Sequence, residues 1–86
     1  MLKLIYAPVF VKQLKKIEPS LQEEVLEKIE FFKDKNNHKS LKVHKLHGKF
    51  NDCYGFSVNY KTRIVFEYLS KGEVALLALG AHDVYK

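Results

Sequence analysis

A histidine, a carboxylate and a phenol stand close together near the end of the sequence: His82, Asp83 and Tyr85. An imidazole has an unperturbed pKa of about 6.5 and can therefore take or give a proton near neutral pH. The apolar run 74–79 comes just before them and is typical of a buried strand. Because rigid strands often deliver functional side chains into the loop that follows, His82 is a candidate for proton transfer. The alternative is a polar segment that only caps a sheet.

A second feature is the basic segment 33–49. It contains six lysines and one acidic residue, Asp34, and so carries the whole formal net charge of +5. Its interleaved histidines are His38, His44 and His47. Positive charge concentrated in one segment favours a polyanionic partner, first of all a phosphate backbone, although a solvated surface is the alternative. The segment lacks the apolar face of an interfacial helix, so we expect no membrane partner.

Length and composition favour a single folded domain over residues 1–86. Hydrophobic residues make up 47% of the chain, and no linker, repeat or low-complexity stretch interrupts it. The one cysteine, Cys53, cannot form an internal disulfide, and the first residues lack a long apolar segment. We therefore expect a cytoplasmic protein. Cys53 lies near aromatic residues and is expected to be a packing residue, the alternative being a nucleophile.

The elements that must position these residues begin with a strand and two helices. Residues 2–6 form a short apolar strand that Pro8 ends. Apolar residues at helical spacing then predict a helix from Val9, which Pro19 closes. Ser20 and Glu23 are expected to cap a second helix reciprocally, with Pro19 outside it. One face of this second helix carries Leu21, Val25, Ile29 and Phe32.

After Asp52, alternation of apolar and polar residues predicts strands around 54–58 and 63–68, and the continuous apolar run 74–79 predicts a third. The turn signals between them predict hairpin connections. The order strand, helix, helix, strand, strand, strand indicates an α+β fold, in which a helical hairpin covers one face of a small, mainly antiparallel, four-stranded sheet. The N-terminal strand is expected at an edge or beside the central strand. We expect the other face of the sheet to stay open.

Three segments carry a family resemblance: Leu46-His47-Gly48 entering the sheet, the strand from Tyr60 to Phe66 with its tyrosine-x-x-arginine pattern, and the closing segment from Gly80 to Tyr85. With the element order, they resemble the RelE/ParE superfamily of toxin–antitoxin toxins along the whole chain. The resemblance implies a RelE-like fold and a ribosome-dependent mRNA endonuclease that a cognate antitoxin neutralises. It implies neither a metal nor another cofactor.

Metal-independent RNA cleavage needs a base for the 2′-hydroxyl proton, a cation for the crowded phosphate and an acid for the leaving 5′-oxygen. His82 is the expected acid or, in the reverse assignment, the base. Arg63 is expected to hold the phosphate, because its planar guanidinium suits oxyanions. The histidine-rich branch of the superfamily implies a proton-transfer role for His44, from its spacing to the leucine and glycine that follow. Tyr85 is expected to orient or stack on a base.

The basic residues around these positions are expected to contact RNA: Lys42, Lys45, His47, Lys49 and Lys61. The histidine-rich branch also carries an acidic residue and a further histidine on the strand after the glycine, where this chain has Gly55 and Ser57. The implied partners are mRNA, the ribosome and the antitoxin.

Two other functions remain open from the sequence. A toxin of the ParE kind inhibits DNA gyrase by protein contact and needs no proton-transfer residue. The third possibility is an inactive protein that keeps the fold and only binds its antitoxin. A zinc site built from His44, His47, His82 and Asp52 is a further alternative.

Overall fold

Five strands form one sheet in the computed structural model, which describes residues 1–48 and 52–81. They are β1 (Lys3–Tyr6), β2 (His44–Lys45), β3 (Tyr54–Ser57), β4 (Thr62–Ser70) and β5 (Glu73–Ala81). Their order across the sheet is β1-β5-β4-β3-β2. β1 pairs parallel with β5, whereas the other neighbours are antiparallel.

The predicted α+β fold is confirmed, including the element order and the place of the N-terminal strand at a sheet edge. The described sheet has one strand more than expected. The additional strand is β2, which is only two residues long. A pair of residues is too short to show an alternating pattern in the sequence.

The described residues form two α-helices, α1 (Pro8–Lys16) and α2 (Pro19–Phe32), and a short 3₁₀ helix, Lys35–Asn37, follows. The expected reciprocal cap at Ser20 is wrong: Glu18 is the N-cap of α2, and its side chain makes no capping hydrogen bond. Pro19 occupies the first turn instead, because its fixed φ suits that position and its missing N–H has no partner to lose there. Neither described helix is long and apolar enough to cross a membrane.

The core lies between the helices and one face of the sheet. Phe32 is completely buried at its centre and stacks on Phe56 of β3, with ring centroids 4.4 Å apart. Phe32 also meets Phe66 of β4 edge-on and stacks on His38, at 4.8 and 4.6 Å. Burying a side chain of this size contributes roughly 1.5–3 kcal/mol. This aromatic cluster fixes α2 over β3 and β4, the strands that carry the candidate site.

We call the face opposite the helices the distal face. It is not fully open, which corrects the expectation. Val65 is 0% exposed and Leu46 is 5% exposed, although neither belongs to the main core cluster. Alternation along β4 puts Val65 on the distal face, between Arg63 and Glu67. Apolar side chains are therefore buried at the centre of this face, because they gain by leaving water, and polar side chains border them.

Candidate nucleic-acid interface

Arg63 lies near the start of β4, on the distal face. It is paired with Ser57 of β3 and with Gly80 of β5. Directly opposed residues in an antiparallel pair point to the same side of a sheet. Both cross-strand neighbours of Arg63 are small, so they leave space on this face beside its side chain.

The Arg63 side chain is half-buried and held by the backbone of the preceding turn. Its Nη1 donates to the carbonyl oxygen of Asn59 at 2.5 Å and to that of Thr62 at 3.3 Å. Within residues 1–48 and 52–81, the structure gives the guanidinium no other hydrogen bond and no carboxylate partner. An arginine has five N–H donors, so the described part of the chain leaves the Nη2 and Nε donors to an anion.

His44 lies in β2 and is paired with Gly55 of β3. Its Nδ1 is 2.8 Å from the carbonyl oxygen of Lys42. A carbonyl can only accept, so this bond places the proton of the neutral imidazole on Nδ1. Nε2 is then the basic nitrogen of the ring, which is the form that a general base requires.

The register places His44 and Arg63 on the same face, because Gly55 is also opposite Val65, two residues along β4 from Arg63. They lie two strands and two residues apart, which corresponds to about 12 Å between backbones at ordinary strand spacings. The intervening β3 positions on this face are Gly55 and Ser57. Only these small residues therefore lie between His44 and Arg63 on this face.

The other predicted RNA contacts occupy different surroundings. Lys42 and His47 are exposed in the segments on either side of β2, and Lys61 is exposed in the β3–β4 turn. Lys45 is exposed and paired with Tyr54, which puts it on the opposite side of β2 from His44. Of these four, Lys42 is the residue that lines a cavity together with Arg63.

Three predicted site residues, His82, Tyr85 and Lys49, lie outside the described residues. β5 ends at Ala81, which is paired with Thr62, the residue before Arg63. His82 is the next residue in the sequence. The last described residue of β5 thus belongs to the same end of the sheet as Arg63.

A basic cavity of about 490 Å³ lies beside Arg63, between the C-terminal half of α2 and the β3–β4 turn. Its walls include Lys28, Phe31, Lys42, Ser57, Tyr60 and Arg63. Lys28, Phe31 and Tyr60 were not among the predicted site residues. Phe31 offered a signal in the sequence, since it is a large apolar residue outside the buried stripe of α2.

Cys53 is unsuited to nucleophilic chemistry in this structure. Burial raises the pKa of its thiol, and the negative charges of Glu67 and Asp52 raise it further. Because the thiolate is the reactive form, these surroundings suppress its reactivity. Among the described residues, no three histidine, cysteine or acidic side chains come together as metal ligands.

Known structures share this fold. A conserved hypothetical protein from Helicobacter pylori, solved in solution, is 25% identical, with a TM-score of 0.74 over 96% of this chain and 97% of that one. The toxin–antitoxin complex RelBE2 from Mycobacterium tuberculosis contains a chain that is 13% identical, with a TM-score of 0.71 over 94% and 98%. YafQ from E. coli is 12% identical, with a TM-score of 0.70 over 98% and 97%.

No protein-family model matches the sequence, and no curated protein does. The RelE-like fold that the sequence predicts is confirmed, because the RelBE2 and YafQ structures match it over nearly the whole length of each chain. At such low identities a shared fold does not transfer an activity, so function must be argued from the site.

Proposed function

We propose that this chain, which has the fold of the RelE/ParE superfamily, is the toxin of a type II toxin–antitoxin system and cleaves mRNA on the ribosome without a metal. The observation that carries this proposal is the pair His44 and Arg63 on the distal face. One has its basic nitrogen defined by a backbone hydrogen bond, and the other keeps guanidinium donors for an anion.

In the proposed reaction, Nε2 of His44 takes the proton of a ribose 2′-hydroxyl, and the 2′-oxygen attacks the adjacent phosphorus. Arg63 stabilises the extra negative charge of the five-coordinate phosphate through its free donors. The bond from phosphorus to the 5′-oxygen breaks, and protonated His82 gives that oxygen its proton. The products are a 2′,3′-cyclic phosphate and a 5′-hydroxyl. Tyr85 orients or stacks on a neighbouring base.

Gly55 and Ser57 fit this arrangement even though they depart from the histidine-rich branch. Both lie on the distal face between His44 and Arg63. Their small side chains leave space for a phosphodiester between His44 and Arg63. In this proposal no residue of β3 replaces the acidic residue and the histidine of the histidine-rich branch. His44 and His82 carry out both proton transfers.

The partners follow from the activity. A nuclease that acts on translated mRNA works in the cytoplasm and requires an antitoxin to protect its own cell. One structure with this fold is a toxin–antitoxin complex. We propose that the exposed lysines 42 and 45, with Lys49, form part of the antitoxin contact, where carboxylates of the partner would meet them.

The test is to induce this chain in cells and map transcript 5′ ends, in parallel with Arg63→Ala and His82→Gln. Lys16→Ala, an exposed substitution on α1, is the control for loss of one positive charge. We expect reproducible cuts within translated messages for the parent and the control, and none for the two site variants. DNA damage without RNA cuts would instead indicate gyrase inhibition, and cuts that persist in both site variants would defeat the proposed mechanism.

A further inference from the structure

We propose that the basic cavity beside Arg63 is a subsite for one unpaired RNA base and its flanking phosphates, next to the position of cleavage. This inference rests on the proposed function for the identity of its ligand. Among the described residues that line the cavity, His44 is absent, so the cavity does not depend on this proton-transfer residue.

Packing of α2 against the sheet creates this cavity. Lys28 and Phe31 are three residues apart on α2 and therefore lie on the same side of the helix. The opposite wall is held in place by a backbone hydrogen bond from Ser57 to the carbonyl of Leu41, at 3.0 Å. Lys42 has a left-handed backbone conformation, with φ of 59°, which turns the chain from this wall toward β2. The same residue accepts the hydrogen bond from His44, so the loop connects the cavity to the distal face.

The charge of the cavity favours an anion. Lys28, Lys42 and Arg63 line it, and among the described residues no carboxylate does. Glu24, which approaches the same turn, accepts a hydrogen bond from Asn59 Nδ2 at 2.9 Å and lines a different cavity. A cluster of cations without a carboxylate among them attracts phosphate oxygens.

Two exposed aromatic rings distinguish this cavity from a simple basic patch. Phe31 is 46% exposed and Tyr60 is 80% exposed, and both line the cavity. Exposed aromatic rings beside cations are the usual platform for unpaired bases, because every base has a flat face that can stack. The loss of one such platform weakens binding by about 5- to 150-fold. An acidic peptide would use the cations but would leave both rings in water.

The size and place of the cavity agree with a single base. Its volume of about 490 Å³ lies within the range of roughly 300–1,000 Å³ typical of small-ligand sites. Arg63 belongs both to the distal face and to the cavity wall, so a strand bound to its guanidinium can continue directly into the cavity. The subsite would therefore bind the base next to the scissile phosphate.

The test is the affinity of the purified protein for a short 2′-O-methyl RNA, which cannot be cleaved because its 2′-oxygen is blocked. Fluorescence anisotropy at low salt is measured for Phe31→Leu and Tyr60→Leu. We expect each variant to bind at least about fivefold more weakly than the parent. Tyr60→Phe and Phe31→Tyr keep the rings and are expected to bind like the parent.

A second probe separates stacking from charge. The probe is a series of oligonucleotides, each of which lacks one base at a different position. We expect the parent protein to bind one member of the series more weakly than the complete oligonucleotide, and Tyr60→Leu to abolish that difference. Because both rings are exposed, we expect unfolding midpoints to stay near that of the parent, which thermal denaturation checks.

Three results would overturn the subsite: no binding by the parent, equal affinity for the leucine variants, or an acidic peptide that binds with the same dependence on both rings. Cleavage by the same preparations separates this failure from that of the proposed function. A parent that cleaves RNA in an Arg63-dependent manner, with no dependence on Phe31 or Tyr60, would contradict the subsite alone. A parent that cleaves no message would contradict the proposed function.

Discussion

Two cavities flank the β3–β4 turn, and they differ in the sign of the charge that lines them. The basic cavity contains Lys28, Lys42 and Arg63, whereas the second cavity, of about 400 Å³, contains Glu18 and Glu24 with Lys61 as its cation. We call this second one the acidic cavity. Both include Tyr60, so the two environments meet at a single exposed ring.

Asn59 stands between the two cavities and keeps their charges apart. Its backbone carbonyl accepts from Arg63, and its side-chain amide donates to Glu24. Its Oδ1 accepts from the N–H groups of Lys61 and Thr62, at 2.9 and 2.8 Å. Within residues 1–48 and 52–81, Glu24 bonds to the neutral Asn59 amide and forms no ion pair with Arg63, so Arg63 keeps donors for an anion. A favourable site for phosphate thus depends on a residue that carries no charge.

The largest effect is expected on the basic side. Arg63→Ala should lower the rate of RNA cleavage by about a hundredfold or more, since it removes the donors for the developing charge. Arg63→Lys keeps the positive charge but loses the planar guanidinium, so its cleavage rate should lie between those of the parent and Arg63→Ala. Single-turnover cleavage of a purified message on ribosomes measures both. A rate for Arg63→Ala within a factor of three of the parent would show that the basic side has no catalytic role.

Asn59, which lies between the two cavities, should affect the stability of the fold. Asn59→Ala removes two turn hydrogen bonds and the link to Glu24, and should lower the free energy of unfolding by about 1–3 kcal/mol. Urea denaturation measures this loss. Asn36→Ala is the matched control: its side chain is exposed in the 3₁₀ helix, and the change should stay within about 0.5 kcal/mol. Equal losses in the two variants would mean that the Asn59 contacts stabilise nothing.

Removing one lysine from each cavity should sharpen the comparison. Lys42→Gln should lower the slope of log affinity against log salt concentration by about 1, the effect of one lost phosphate contact. Lys61 shares its cavity with two glutamates, so Lys61→Gln should lower the slope by less than half as much. Titrations of the blocked RNA at several salt concentrations decide between them. The reverse order would place the strand on the acidic side of the turn.

The smallest effect is expected for Glu24→Gln. The amide oxygen can still accept from Asn59 Nδ2, so the free energy of unfolding should change by less than about 0.5 kcal/mol. RNA affinity should rise slightly at low salt and not at high salt, because the lost charge acts only through long-range repulsion. A fall in affinity at low salt would indicate that the carboxylate positions Asn59 for binding.

Much of the fold was predictable because its signals are local. The apolar stripe of α2 and the alternation in β4 predicted their buried faces, and Val25, Ile29 and Phe32 are indeed buried. The start of α2 was mispredicted because two local signals competed, and Pro19 at the first turn prevailed over a cap at Ser20. The strand β2 was missed because it is a pairing of two residues with β3 and has no pattern of its own.

The candidate site was predictable only in part, for a different reason. Arg63 and His44 could be singled out by residue type and by family resemblance, and the register then places them on one face. The partners of Arg63 in the basic cavity come from α2, far away in the sequence. Lys28 and Phe31 reach it only through the packing of Phe32 against β3 and β4. Such an arrangement depends on tertiary contacts, and residue spacing does not encode it.

The central claim is that His44 and Arg63 act on the same phosphodiester, and a double-mutant cycle tests it most directly. Single-turnover cleavage is measured for the parent, His44→Ala, Arg63→Ala and the double variant. Residues that serve one transition state are strongly non-additive, so the double variant should be about as slow as the slower single variant. If the two rate losses simply multiply, the residues act independently and the shared site on the distal face is contradicted.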